Sequence, residues 1–296
     1  MKYSLRILAL GDYPEVNLTQ EEYDSIIHAQ KVLHSAMALE EKYEVLISNF
    51  LELEKDSLCL TANYMMGRTQ NYNDFFDVRS TFNRRIVNLL TSTRLYLDQY
   101  CQHVKDIDAE LASDVKKEFS AQYDTNFAYR FMEALRNYVQ HRGLAVHKTT
   151  HPSQWVDFEG EKLLEHQTLV FALRDSLEED PAFKKSVLRE MPEKVELLSA
   201  SRKYVSSIGY VHMYIREHIA TLVTNAREKI SSTISNYEKI NNDRAIGLCV
   251  FAYKDNSCVN RKFLTLEWDN VRCELVRKNN KIHCLGESYV SGKAVK

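Results

Sequence analysis

Residues 19–66 read TQEEYDSIIHAQKVLHSAMALEEKYEVLISNFLELEKDSLCLTANYMM, and no Gly or Pro interrupts the chain between Pro14 and Gly67. Thr19 and Glu22 have the spacing of a capping box, in which the hydroxyl accepts from a first-turn amide and the carboxylate reaches back to the cap. Apolar residues then recur at Tyr23, Ile26, Ile27, Val32, Leu33, Met37, Leu39, Tyr43, Leu46, Ile47, Phe50, Leu51 and Leu53, mostly at steps of three and four. That period marks one helical face. A helix of ~45 residues is expected, ~68 Å long, with a break allowed near Ala38–Glu41.

The same reading extends outward. The chain has 8 glycines and 4 prolines in 296 residues. Sandwiches, propellers and doubly wound sheets need turns that lean on those two residues, so the composition points to a mostly α protein and excludes glycine-loop nucleotide enzymes. A second long helix is expected over 77–103, with Val78, Phe82, Ile86, Leu89, Leu90, Leu97 and Cys101 inward. A shorter one follows over 108–122. Asp124-Thr125-Asn126 offers caps for another that stops at Gly143, placed at the left-handed C′ position. Residues 144–160, with His151-Pro152-Ser153, read as a loop, and 168–173 as a short strand. Helix resumes over 180–190, and Pro192 suits the first residue of a last long helix reaching Asn241. Beyond Asp243, the stretches 246–253, 263–268 and 271–277 alternate as strands. The expected organisation is a helical domain over 1–242, with two very long helices, and a small β-rich C-terminal piece over 243–296.

A hydrophobic share of 44%, 27% charged residues and a net charge of -2 fit a globular protein and argue against a general nucleic-acid-coating one. No apolar run approaches the ~20 residues of a membrane span, and Met1–Leu10 is too short and mixed for a signal peptide. Six cysteines lie far apart without a CxxC pair, which suits a reducing compartment. These features read as a cytoplasmic protein with no membrane partner.

Chemistry concentrates in Tyr129–Gly143, the C-terminal half of an expected helix. Phe131, Met132, Leu135, Tyr138 and Val139 form its apolar stripe, while Arg136, Asn137, Gln140 and His141 crowd the remaining surface. From Arg130 to Lys148 the cations Arg130, Arg136, Arg142 and Lys148 face Glu133 alone, with His141 and His147 in reserve. A local cationic site of this kind is the minimum that a phosphate-bearing substrate requires.

Arg136-Asn137-x3-His141 resembles the R-(polar)-x3-H signature of HEPN domains, the higher eukaryote and prokaryote nucleotide-binding superfamily. The resemblance covers about residues 74–150. It implies an α-helical bundle and a metal-independent endoribonuclease of the kind found in toxin–antitoxin and antiviral defence systems. Its site would be shared by a homodimer, its substrate would be RNA, and no cofactor or metal would be needed. An antitoxin or defence-system partner is implied as well. On this reading Arg136 holds the phosphate, His141 exchanges the proton and Asn137 orients the ring or contacts the sugar. Arg130, Gln140, Arg142 and Lys148 would bind RNA, with Arg84 and Arg85 of the preceding helix extending the cationic groove. HEPN toxins regulated by nucleotidylation carry Tyr two residues after the His; Gly143 stands there in this chain, so that regulation does not carry over. Two other readings stand beside this one. An Arg and a His near a helix C-terminus offset the negative end of its dipole without any function. A non-catalytic helical module of the same fold would bind RNA, a nucleotide or a partner protein.

Other candidates are weaker. Arg142-x4-His147 also has the Arg–His spacing, but Gly143 interrupts any helix between them. His141, His147 and His151 lack a Cys or carboxylate to complete a zinc tetrahedron. Cys249, Cys258, Cys273 and Cys284 are too widely spaced for structural zinc and read as buried free thiols. Arg79, Arg84, Arg85 and Arg94 alternate with Asp77 and Asp98 as a solvated helix face would. His212 and His218 read as surface or packing residues, Trp155 and Trp268 as core or loop anchors.

Overall fold

The computed structural model describes residues 1–290 apart from 159, 256 and 281. In chain order the elements are β1 (Lys2–Ile7), β2 (Val16–Leu18), α1 (Gln20–Met65), α2 (Tyr72–Ile107), α3 (Leu111–Thr125), α4 (Phe127–His141), β3 (Lys148–Thr150), β4 (Ser153–Phe158), β5 (Glu161–His166), β6 (Leu169–Leu173), α5 (Arg174–Glu178), α6 (Lys185–Glu190), β7 (Lys194–Glu196), α7 (Leu197–Ile240), β8 (Leu248–Lys254), β9 (Ser257–Phe263), α8 (Glu267–Lys278) and a 3₁₀ turn (Ile282–Glu287). The protein is mostly helical, with a small strand-containing C-terminal region. Among the described residues no helix is long and apolar enough to cross a membrane.

The capping box at the start of α1 forms as its residues dictate. Glu22 N donates to Thr19 Oγ1 at 3.1 Å, and Thr19 N donates to Glu22 Oε2 at 2.8 Å. From there α1 runs 46 residues without the break allowed near Ala38. Tyr23, Ile26, Val32, Leu33, Leu39, Tyr43, Leu46, Phe50 and Leu53 are buried, whereas Ile27, Met37 and Ile47 are half-buried and Leu51 is exposed. In α2 the inward stripe passes from Leu90 to Tyr96 and Tyr100, whereas Leu97 and Cys101 are only half-buried.

The chain divides into two compact units. The first comprises residues 1–41, 100–113 and 215–278. Its sheet has the order β2-β1-β8-β9, every pair antiparallel, so the C-terminal hairpin joins the N-terminal strands. Residues 271–277 belong to α8 and are not a strand. Asp269, in the first turn of α8, is fully buried between Arg227 and Arg272, and no local alternation reports that long-range pairing.

The second unit comprises residues 42–99, 114–214 and the chain from Asn279 on. It holds a three-stranded sheet, β3-β6-β7, and a separate two-stranded hairpin, β4-β5. Residues 144–160, expected as a loop, therefore include β3 and β4. Pro192 does not start the last long helix: it lies between α6 and β7, and α7 begins at Leu197. There Glu196 caps, accepting from Leu198 N at 3.0 Å and Ser199 N at 2.6 Å. Residues 180–190 are helical only from Lys185. Of the four C-terminal cysteines only Cys249 is buried; Cys273 is half-buried, and Cys258 and Cys284 are exposed. Residues 291–296 of the expected C-terminal piece lie outside the described residues.

Candidate functional site

Helix α4 is fixed at both ends. Asn126 is its N-cap, accepting from Ala128 N at 2.9 Å and donating to Ser207 Oγ at 2.9 Å. Its apolar side is buried through Phe131, Met132 and Leu135. Tyr129 packs edge-on against Tyr204, ring centroids 5.0 Å apart, and Tyr204 donates its hydroxyl proton to Glu133. Complete burial holds the Tyr204 pKa well above its ordinary value.

The C-terminus departs from the expected left-handed glycine. Arg142 is the C-cap, with φ -134° and ψ -58°, and Gly143 does not have positive φ. A Cβ at 143 would come within 2.5 Å of Tyr138 Oη, so a side chain there requires that ring to shift. Tyr138 is half-buried and its pKa is raised, first by burial and then by the charges of Asp180 and Glu179. Beyond it the chain is tied down: Val146 N donates to the buried Asn83 Oδ1 of α2 at 2.9 Å, and His147 N donates to Phe171 O at 2.9 Å.

The proposed phosphate and RNA ligands divide into two groups. Arg130 belongs to the framework: its guanidinium donates to the carbonyls of Tyr123 and Asp124, each at 2.7 Å, and pairs with Glu190 at 2.5 Å. Arg85 is likewise engaged, by Glu52 and Asp56 of α1, which leaves only Arg84 of that pair exposed and open to a ligand. Arg142 lies 3.7 Å from Asp180.

The second group faces solvent. Asn137, Gln140, His141 and Lys148 are exposed, and Arg136 is half-buried. Arg136 donates from Nη1 to Gln140 Oε1 at 2.9 Å, so the residue four positions on orients the guanidinium. Among the described residues neither Asn137 nor His141 has a side-chain hydrogen bond or ion pair. The carbonyl of Tyr138 is satisfied by the backbone N–H groups of Arg142 and Gly143 at 2.8 and 3.3 Å, without the imidazole. Comparison with protein-family models, with curated proteins and with solved structures gives no match. The site therefore stands on its own geometry.

His147, His151 and His212 are built into the fold. Nδ1 of His147 accepts from Leu173 N at 3.0 Å, which fixes the ring proton on Nε2, and burial lowers its pKa. His151 stacks on Tyr64 at 4.4 Å, and burial lowers its pKa also. His212 is fully buried, 2.8 Å from Tyr96 Oη and stacked on Tyr43, whereas His218 is exposed. Trp268 is half-buried and stacks on His34 at 4.2 Å. Trp155 is no anchor: it lies on β4 with 69% of its surface exposed. Among the described residues no three His, Cys, Asp or Glu side chains converge as a metal site would require.

Proposed function

We propose that the chain is a HEPN-type endoribonuclease whose site is Arg136, Asn137 and His141, completed by a second copy. The observation that carries this reading is the exposed, unengaged Asn137–His141 pair on the last turn of α4, beside an Arg136 already oriented by Gln140.

The chemistry follows from these groups. The RNA 2′-hydroxyl attacks the adjacent phosphorus and loses its proton; the P–O5′ bond breaks, and the departing oxygen takes up a proton. The products are a 2′,3′-cyclic phosphate and a 5′-hydroxyl. An imidazole can mediate such a proton transfer, worth ~10²–10⁴-fold. The fork of Arg136 stabilises the charge developing on the phosphate oxygens. Residues five apart stand about 140° apart around a helix, so Arg136 and His141 of one copy do not converge on a single phosphate. A cleft between two copies of α4 brings Arg136 of one toward His141 of the other. On this reading the protein acts in a toxin or antiviral-defence role.

The test is cleavage of RNA in EDTA by the wild-type protein and by His141→Ala. The expected result is cyclic-phosphate products whose rate falls by ~10²–10⁴-fold in the variant. Equal cleavage by both, or none by either, overturns the assignment. A non-catalytic module binding RNA, a nucleotide or a partner protein is favoured by one observation: Arg136 Nε is buried without a hydrogen-bond partner, so the guanidinium is partly seated in the protein. RNA binding without cleavage, weakened by Arg136→Ala, would support that second reading.

A further inference from the structure

Among the described residues the β4–β5 hairpin pairs with no other strand. The antiparallel register places Trp155 opposite Leu164 and Val156 opposite Leu163. Trp155, Leu163 and Leu164 are 69%, 47% and 40% exposed, so apolar side chains stand in solvent on both faces of the ladder. An isolated two-stranded hairpin is marginal in water. This one is secured at its root, where Ser153 Oγ and His166 Nδ1 lie 2.9 Å apart and Tyr64 packs against His151 and His166. Among the described residues its outer edges pair with no further strand, and such edges are templates for another strand.

Charge selects the occupant. From Ser153 to His166 the sequence has Asp157, Glu159, Glu161 and Glu165 against Lys162 alone. A polyanion such as RNA is repelled, and two such hairpins pairing with each other would juxtapose like charge. A second observation lies at the root: a cavity of about 420 Å³ opens where β5 ends, lined by Glu54, Glu165, Glu196 and Arg202 among apolar residues such as Leu58 and Met65. Arg202 is engaged by Glu54 at 2.6 and 2.8 Å. Glu165 accepts from Gln154 Nε2 at 2.8 Å and Glu196 caps α7, so the charged side chains lining the cavity are three carboxylates and one guanidinium.

We infer that β5 receives an extended segment of a partner protein as a third strand, with alternating apolar and basic residues, one Lys or Arg of which enters the acidic cavity. This is the strand-addition mode, in which backbone hydrogen bonds supply affinity and pockets supply specificity. It does not depend on the ribonuclease reading, since it rests on β4, β5 and the cavity beside them.

The full-length protein is screened against a displayed random twelve-residue peptide library, and amide exchange is measured with the best synthetic peptide. The expected consensus alternates Lys or Arg with Val, Ile or Leu; the peptide slows exchange in β5, and Asp157→Lys/Glu161→Lys weakens binding at least tenfold. These surface charges lie on exposed strand positions, so unchanged circular dichroism is expected for the variant. An acidic consensus, no enrichment, protection elsewhere than β5, or binding unaffected by the charge reversal overturns the inference. So does displacement of the peptide by RNA, or self-association of the wild-type chain that the same variant abolishes.

Discussion

Gly143 lies against the ring of Tyr138, so close that a methyl group on residue 143 would sit 2.5 Å from the phenol oxygen and 2.9 Å from Cζ. The contact joins the end of α4 to the segment leading into β3 and sets the position of the His141 turn. Gly143→Ala must push Tyr138 out of its half-buried place. Overpacking a well-packed core costs about 1–3 kcal/mol, and displacing the end of a half-buried ring costs less. The expected outcome is a lower melting temperature. Adding Tyr138→Ala to Gly143→Ala should then cost less than the sum of the two single changes, because the clash has been removed. Additive losses in calorimetry would mean that the contact does not set this turn.

Gln140 holds Arg136 and itself touches no proposed reacting atom, which makes it a positioning residue. Gln140→Ala should lower RNA cleavage much less than Arg136→Ala, while Gln140→Glu, whose carboxylate still accepts from the guanidinium, should retain the orientation. Arg136→Lys should recover little, since an ammonium lacks the fork that engages two phosphate oxygens together. Single-turnover rates with one RNA substrate check the order. A Lys variant as active as the wild type would show that the residue supplies only charge.

Two histidines link stability to pH. Burial lowers the pKa of both His147 and His151, so the folded state holds them neutral where the unfolded chain, with histidine near ~6.5, takes up protons. The unfolded state then binds more protons, and stability rises with pH across that interval. Their contribution is complete above ~6.5 and is lost as pH falls below it. Urea midpoints measured between pH 7.5 and 5.5 should decline toward acid, with a shallower decline in His147→Gln/His151→Gln. An identical slope in that variant would place the linkage elsewhere.

Local chemistry made much of this fold legible in the sequence. The capping box at Thr19 and Glu22 and the stripe from Tyr23 to Leu53 depend on residues three or four apart, and both form. What local patterns could not convey are pairings across long stretches. Arg85 and Arg130 look like free cations until partners 29, 33 and 60 residues away engage them. The hairpin at 153–166 carries apolar residues on both faces, so it lacks the alternation that marks a half-buried strand. The segment 271–277 does alternate, yet it lies in α8, whose first turn is anchored by the buried Asp269 with Arg227 and Arg272. At the candidate site, the exposure of Asn137 and His141 was legible from the stripe that leaves them on the opposite face, and the close approach at Gly143 was not.

That arginine pair also predicts a cost. Asp269 is fully buried, and although burial works against its ionised form, hydrogen bonds from Arg272 and Arg227 hold its pKa below the usual carboxylate range. Removing the carboxylate leaves two guanidiniums, 11% and 32% exposed, without their counter-ion. Breaking a buried pair from one side typically costs about 3–5 kcal/mol. Asp269→Ala should therefore destabilise far more than Asp114→Ala, which removes an exposed pair with Lys117 that solvent screens. The sign with pH is the same as for the histidines, and only the window differs. A lowered carboxylate pKa contributes stability that is present above ~3.9 and is lost as pH falls through the folded-state value. Denaturant titrations of both variants at pH 7 and pH 3 check the prediction: the gap between Asp269→Ala and the wild type should be wide at neutral pH and narrower in acid, and equal gaps would mean that the buried carboxylate contributes shape rather than charge.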